Sequence, residues 1–412
     1  MKVTILTLGC KVNQAESAFI EGNLMDLGCS IVQLSDHPDY CIINTCSVTA
    51  KSDYQSRQLI RRAVRAGAKV VVTGCYSQLR SEEIKKIEGH IDIVQNRDKL
   101  QIINILSNKS TSAYLGYSGR SRPYLKIQDG CNFACSYCTV PKARGKSRSL
   151  AVTEVLHEAS QLESCGYNEI VLTGIHLGSY GRDIRPQVKL SDLLKALLQK
   201  TNFRRIRLSS IELNEIDGEL VDLLKEERIC KHLHVPLQSG DDTVLRRMNR
   251  LYTARDYVRV IESVVSVFPD IAIGTDIIVG FPGEGEKEFL NSRNLLDSLP
   301  LSYIHIFPFS ARPDTAASAM ENQISCAIKK ERCGKLNTLN NSKKSAYRSS
   351  QINKVLEVVV EEARADETAI GTSSNYLKIR VCSNAYPKKS LVYVRTTGIE
   401  GNFINAFPIE KL

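Results

Sequence analysis

The sequence predicts an α/β chain of three units: a doubly wound parallel sheet, a full or partial βα barrel, and a small all-β barrel. Three observations lead there. Short apolar, β-branched runs alternate with helical patterns through the first ~110 residues. A second βα series of about six units follows. From about Ser350 the pattern changes to short strands separated by turn residues. Buried strands alternating with helices mean a parallel sheet. A length of 412 residues allows about three domains at ~150 residues each.

Lys2–Leu8, Tyr40–Thr45 and Lys69–Thr73 are the first strands. Between the first two, Ile20, Leu24 and Leu27 mark one helix face, closed by Gly28. Thr111–Ser121, rich in Ser, Gly and Tyr, reads as a linker and sets the units at 1–112, 117–348 and 349–412. Strands of the second series are Tyr124–Gln128, Glu169–Leu172, Arg205–Ser209, Leu233–Leu237, Ala272–Val279 and Tyr303–Phe307. Thr153 is the expected N-cap of a helix reaching Cys165, with Leu156, Ala159 and Leu162 as its stripe. In a βα barrel the chemistry sits on loops at the C-terminal strand ends. A basic helical segment follows Gln323, and Val355–Val360, Tyr376–Val381 and Ser390–Thr396 are strands of the last unit.

Lys and Arg number 55 against 45 Asp and Glu, a net of +10. The excess is concentrated. Arg57–Lys69 holds five basic residues and no acidic one, and Tyr117–Leu150 holds seven against one. Such patches favour a polyanion, here RNA, over a merely solvated face. The last unit, with eight basic and seven acidic residues, gives no charge argument for RNA. MKVTILTLGC reads as a strand and not as a secretory signal, and no run approaches the ~18 apolar residues of a membrane span. The chain is expected in the cytoplasm. Thirteen cysteines there point to metal or redox chemistry, not to a disulfide framework.

Cys131, Cys135 and Cys138 have the spacing C-x3-C-x2-C directly after a strand. A [4Fe–4S] cluster normally takes four thiolates. Three in this loop leave one iron open, and open coordination marks a catalytic metal. Zinc or three free thiols are the alternatives; zinc would ask for a fourth ligand, for which His157 is the nearest candidate. The triplet, with Tyr137 before its last cysteine, resembles the signature of the radical S-adenosylmethionine (radical SAM) superfamily. The resemblance implies that the open iron chelates S-adenosylmethionine and that electron transfer yields a 5′-deoxyadenosyl radical.

Cys10, Cys46 and Cys75 each end or follow an apolar strand: TILTLGC, CIINTC and VVVTGC. Strands of a parallel sheet share a direction, so these thiols collect at the edge where doubly wound folds bind ligands. They form a candidate second three-cysteine cluster site. The whole chain resembles the methylthiotransferases. LGCKVNQAES (8–17) looks most like the branch that modifies N6-threonylcarbamoyladenosine in tRNA. NTCSVT (44–49), QDGCNFACSYCTVPKARGKSRS (128–149), TGIHLGSYG (173–181) and HVPLQSGDDTVLRRMNRLYT (234–253) strengthen the match. The tail resembles a TRAM domain, an RNA-binding β-barrel.

The resemblance implies two [4Fe–4S] clusters, two molecules of S-adenosylmethionine per product, and a methylthio group placed on C2 of the modified adenine. It implies tRNA as partner and an electron donor such as flavodoxin or ferredoxin. Rival readings are methylthiolation of isopentenyladenosine in tRNA, or of a ribosomal-protein aspartate. An electron carrier would need no barrel, and a plain RNA-binding protein no triplet. Further cofactor-site candidates lie at strand ends: Thr173 and Gly174, Ser209, Ser210 and Glu212, Gln238 and Ser239. Gly174 would allow close backbone approach. Asp276 either points into the barrel or pairs locally, and His176 either meets substrate or is structural. Arg57, Arg144, Lys146 and Arg148 are the candidate phosphate contacts. The other seven cysteines read as small buried hydrophobes.

Overall fold

The computed structural model describes residues 1–99, 101–107, 119–364, 367–382 and 386–410. Most of the expected linker lies outside the described residues. Strands β1 (Lys2–Thr7), β2 (Ser30–Ile31), β3 (Tyr40–Thr45), β4 (Lys69–Gly74) and β5 (Ile91–Ile93) form one parallel sheet in the order β2-β1-β3-β4-β5. Helix α1 (Lys11–Asp26) packs Ile20 and Leu24 with Val3, Ile42 and Val71. Helix α2 (Ala50–Arg65) packs Ile60 and Ala63 on the other face, with Cys41, Ile43, Val70 and Val72. Alternate residues of each strand thus serve opposite layers, and the sheet is doubly wound. Strands β2 and β5, two and three residues long, carry too little apolar pattern to be read from sequence.

The second series supplies β6 (Tyr124–Lys126), β7 (Gln128–Asp129), β8 (Arg148–Ser149), β9 (Glu169–Thr173), β10 (Arg205–Leu208), β11 (His232–His234), β12 (Ala272–Val279) and β13 (Tyr303–Pro308). Two parallel three-stranded sheets, β10-β9-β6 and β11-β12-β13, meet through a parallel bridge between Ser210 and His234. The six strands therefore make a partial barrel. Leu172, Leu208, Leu233, Ile273 and Ile304 face its outer helices in one core. The helix expected from Thr153 starts one residue earlier, at Val152. Its cap is Ala151, whose N–H donates to the Glu154 carboxylate, so the acid three residues on does the capping and not the Thr153 hydroxyl. Val155, not Leu156, is the fully buried stripe residue.

The helix Cys326–Ser349 leads to a closed barrel of β14 (Val355–Ala363), β15 (Thr368–Ser373), β16 (Lys378–Cys382), β17 (Leu391–Glu400) and β18 (Phe403–Pro408). Tyr376, expected in a strand, sits in a turn with φ +65°. β15 and β18 carry no clear strand period in sequence, because Gly371, Thr372 and Asn405 break their apolar pattern. The barrel docks on the α/β core through two buried arginines. Arg205 donates to the carbonyls of Glu357 and Thr372, and Arg207 to those of Ser373 and Ser374, at 2.8–2.9 Å. Both guanidiniums pair with Glu169 at the barrel floor. Among the described residues no helix is long and apolar enough to cross a membrane.

Candidate functional site

β7 and β8 pair antiparallel and pin the two ends of the loop that carries Cys131, Cys135 and Cys138. Gln128 braces that loop from inside. Its side-chain amide donates to the carbonyls of Asp129 and Gly130 and to Ser147 Oγ, and its carbonyl oxygen accepts from His176 N. The three thiols line one open cavity of about 720 Å³. Each has a donor or a histidine ring at hand. Cys131 Sγ accepts from Phe133 N at 3.4 Å and lies 3.7 Å from His176 Nδ1. Cys138 Sγ accepts from Val140 N at 3.4 Å, and Cys135 Sγ from Arg250 Nη1 at 3.3 Å. Burial pushes Cys138 up to about 12 and raises Cys135, with Arg250 opposing the second shift. Burial disfavours a bare thiolate here; a bound cation or proton must compensate it.

Cys10, Cys46 and Cys75 do converge. β1 and β3 flank the point where the strand order reverses, and Cys10, Cys46 and Cys75 follow the carboxyl ends of β1, β3 and β4. Gly9 has φ +104°, and a Cβ there would come within 2.9 Å of Cys46 Cβ. Gly74 has φ +102°, and its Cβ would strike Thr45 O at 2.3 Å. Only glycine lets these turns bring the thiols together. Asn13 ties two of the turns, donating to Leu8 O and Thr45 O at 2.9 Å. Burial pushes Cys46 up to about 11, and Cys75 and Cys10 add to it.

The two cysteine sets are joined. Helix α3 (Cys75–Leu79) packs against the helix Val140–Arg144 that follows Cys138. Arg144 is fully buried and donates to Glu16 and Asp129 at 2.9 Å and to Asn13 Oδ1 at 2.6 Å. Its charge also opposes the upward shift that burial gives the Cys75 thiol. Lys99 and Lys126 complete the shell of Glu16. Arg144 is therefore not a phosphate contact: no part of its side chain reaches solvent. Lys146 and Arg148 are exposed, while Arg57 is partly covered and paired with Glu83 at 3.2 Å.

The remaining candidates divide. Thr173 and Ser209 end neighbouring strands on the rim of the barrel and are buried, and Ser209 Oγ has no hydrogen-bond partner among the described residues. Gln238 stands in left-handed backbone, φ +67°, at the end of β11's extension. The close approach that Gly174 permits is to Gln128, whose Oε1 would lie 2.8 Å from an added Cβ. Glu212 pairs with Arg250, so its carboxylate is engaged toward Cys135. Tyr137 packs edge-on against Phe281 at 6.4 Å. Ser210 holds His234 Nδ1 at 3.2 Å, and Ser239 is buried beside Ser292. His176 is no isolated loop histidine: it bridges Cys131 to Glu215, 2.7 Å away. Burial opposes its charge, but Cys131 and Glu215 raise it to about 9.

Glu16, Gln128 and Arg250 were missed from sequence. Glu16 did carry a signal. It stands on the Val12–Ile20–Leu24 stripe at spacing four, where a carboxylate cannot be buried without partners. The donor set at Cys131, Cys135 and Cys138 fits an iron–sulfur group, with three sulfurs on one cavity and hydrogen bonds donated to them, and Cys10, Cys46 and Cys75 offer three further sulfurs at one sheet edge.

Residues 125–296 match the model of the Radical SAM superfamily, and residues 2–96 that of the uncharacterized protein family UPF0004. The chain is 38% identical to the threonylcarbamoyladenosine tRNA methylthiotransferase MtaB of Bacillus subtilis (strain 168), covering 92% of this chain and 89% of that protein. It is 36% identical to the MtaB of Aquifex aeolicus (strain VF5), covering 92% and 96%. Among solved structures, the radical S-adenosylmethionine methyltransferase TsrM of Kitasatospora setae superposes with a TM-score of 0.57 at 14% identity, over 77% of each chain. That last likeness is one of fold.

Proposed function

Because this chain belongs to the radical SAM methylthiotransferase family, we propose that it converts N6-threonylcarbamoyladenosine, beside the anticodon of tRNA, to its 2-methylthio derivative. The observation that carries this reading is Arg144. It follows one cysteine triad in the chain and donates to Asn13 Oδ1, which also accepts from Cys10 Sγ of the other, and this supports reading the two triads as one site. Cys131, Cys135 and Cys138 would hold one [4Fe–4S] cluster, and Cys10, Cys46 and Cys75 a second. When bound, the pair supplies the electron that cleaves S-adenosylmethionine and the sulfur that is transferred.

The chain's own residues position and insulate. Arg250, anchored by Glu212, holds positive charge at Cys135. His176 fixes Cys131 against Glu215. Thr173, Ser209 and Gln238 offer polar groups to S-adenosylmethionine from the barrel rim, and Tyr137 covers the loop. Lys146 and Arg148 are free to meet phosphate. The units 1–112, 117–348 and 349–412 then divide the labour: sulfur donation, radical generation, and RNA contact by a TRAM-like barrel. The enzyme works in the cytoplasm with a donor such as flavodoxin or ferredoxin.

Nucleoside analysis of tRNA from a strain lacking the gene tests this. The 2-methylthio form of threonylcarbamoyladenosine should vanish and return with the gene. Unchanged levels would refute the substrate, and loss of 2-methylthio-isopentenyladenosine instead would establish the rival reading.

A further inference from the structure

One face of β13 is aromatic and open, and the chemistry above does not use it. Tyr303, His305 and Phe307 alternate along the strand and so share a face, while Ile304 and Ile306 on the other face pack into the core. Their rings follow one another, with centroids 5.1 Å apart between Tyr303 and His305 and 6.3 Å between His305 and Phe307. Asp276 Oδ1, 3.2 Å from His305 Nδ1, steadies the middle ring. The His305 side chain is 51% exposed and Phe307 44%. A single exposed ring needs no explanation, but a row of them on one strand marks a contact surface.

The last barrel extends the row at the start of β13. Tyr376 lies 5.8 Å from Tyr303 and stacks on His232 at 4.3 Å. It does so from left-handed backbone, φ +65°, which a bulky side chain adopts only when its surroundings hold it there. The turn thus keeps an aromatic ring at the seam between the two units, where Tyr376 is still 37% exposed.

Between β13, the helix Cys326–Ser349 and the last barrel lies a cavity of about 280 Å³. Tyr303, His305 and Tyr376 line it together with Lys344, Arg348 and Lys378, and among the described residues no acid does. Lys378 is paired with Glu361, but Lys344 and Arg348 meet no carboxylate among the described residues. Ring faces beside unmatched cations suit a single-stranded nucleic acid, whose bases stack while its phosphates are neutralised. A duplex keeps its base faces stacked on each other, so the matching RNA is an unpaired loop. β13 ends at the barrel rim, where the chemistry of a βα barrel sits. Phe307 therefore leads from the cavity toward the site.

We propose that Tyr303, His305, Phe307 and Tyr376 form a stacking wall for unpaired bases flanking the modified adenine, with Lys344 and Arg348 meeting their phosphates. The inference rests on the function proposed above. It makes the seam between the central unit and the last barrel the place where the substrate loop is splayed, and it gives the last barrel a role that its near-neutral charge does not suggest.

The test is binding of an anticodon stem-loop RNA to the reconstituted holoenzyme. A second RNA has the same stem but abasic loop nucleotides on either side of the target adenine. The wild-type protein should bind the intact RNA ~5–100-fold more tightly, the scale of one stacked base. Phe307→Ala and His305→Ala should bind the intact RNA more weakly and the abasic RNA as before, so that the preference shrinks. Phe307→Tyr and His305→Phe keep a ring and should retain it. Lys344→Gln should lower the slope of log affinity against log salt by ~0.7, the share of one phosphate in a single strand. Alanine variants that keep the full preference, or that lose both RNAs alike, overturn the proposal, and an unchanged salt slope overturns the phosphate contact. If the wild-type protein binds neither RNA better than an unrelated hairpin, the proposed function falls with it. Specific binding with an unaltered preference in the alanine variants would count against the stacking wall alone.

Discussion

Arg144 Nη1 lies 2.9 Å from Glu16 Oε1, and both side chains are shut away from solvent. The pair joins the helix after one cysteine triad to the helix after Cys10. Burial raises a carboxyl, but Lys126, Lys99 and Arg144 outweigh it and hold Glu16 well below its ordinary value.

Removing Arg144 leaves a buried carboxylate short of a partner. Arg144→Ala should therefore cost ~3–5 kcal/mol of stability, read by urea unfolding. Glu16→Gln should lower stability at neutral pH and leave less of it to lose in acid. Glu16's folded value is lowered, so its contribution is complete above the ordinary value of 4.5 and is lost as pH falls below it. The variant's stability should be flatter with pH in that acid range, and an unchanged acid limb would discount the pair.

Cysteine replacements separate the two triads. Reconstituted wild-type protein should hold about eight irons and Cys135→Ala or Cys75→Ala about four. Cys135→Ala should lose deoxyadenosine formation. Cys75→Ala should keep some of it and make no methylthio product. Product from Cys75→Ala would remove the role given to the first sheet.

Arg250 touches Cys135 and Glu212 together. Arg250→Met should reduce deoxyadenosine formation ~10–100-fold, the usual cost of losing an outer-shell partner, with iron content kept. Arg250→Lys should recover little, since one ammonium cannot serve both contacts as a guanidinium fork does. Equal activity of all three proteins would make the arginine structural.

Glu169 governs docking of the last barrel. Burial raises its carboxyl, but Arg205, Arg207 and Arg122 bring it down to about 2. Its stabilising effect is present above the ordinary value of 4.5 and fades as pH falls toward 2. Glu169→Gln strips the arginines of their counter-charge. We expect a loss of ~3–5 kcal/mol and earlier proteolytic release of the segment after Ser350, followed by limited digestion. Wild-type digestion kinetics would show that the carbonyl contacts of Arg205 and Arg207 suffice.

The sequence by itself determined the fold class, the six strands of the central series and the places of the six cysteines at strand ends and in one loop. Each depends on local information: β-branched runs, the spacing C-x3-C-x2-C, and a cysteine at the end of each of three strands that must run parallel. The short edge strands β2 and β5, and β15 and β18, were not legible, because two or three residues or a broken alternation carry no period. Only the tertiary structure decided where charges go. Arg144 and Lys146 stand two residues apart in one basic stretch, yet one is buried on Glu16 and the other is exposed. Asp276 meets His234 and His305 across three strands. A side chain's partner from a distant strand or helix leaves no mark on its neighbours in sequence, and it is the partner that fixes whether a charge holds the fold or faces the substrate.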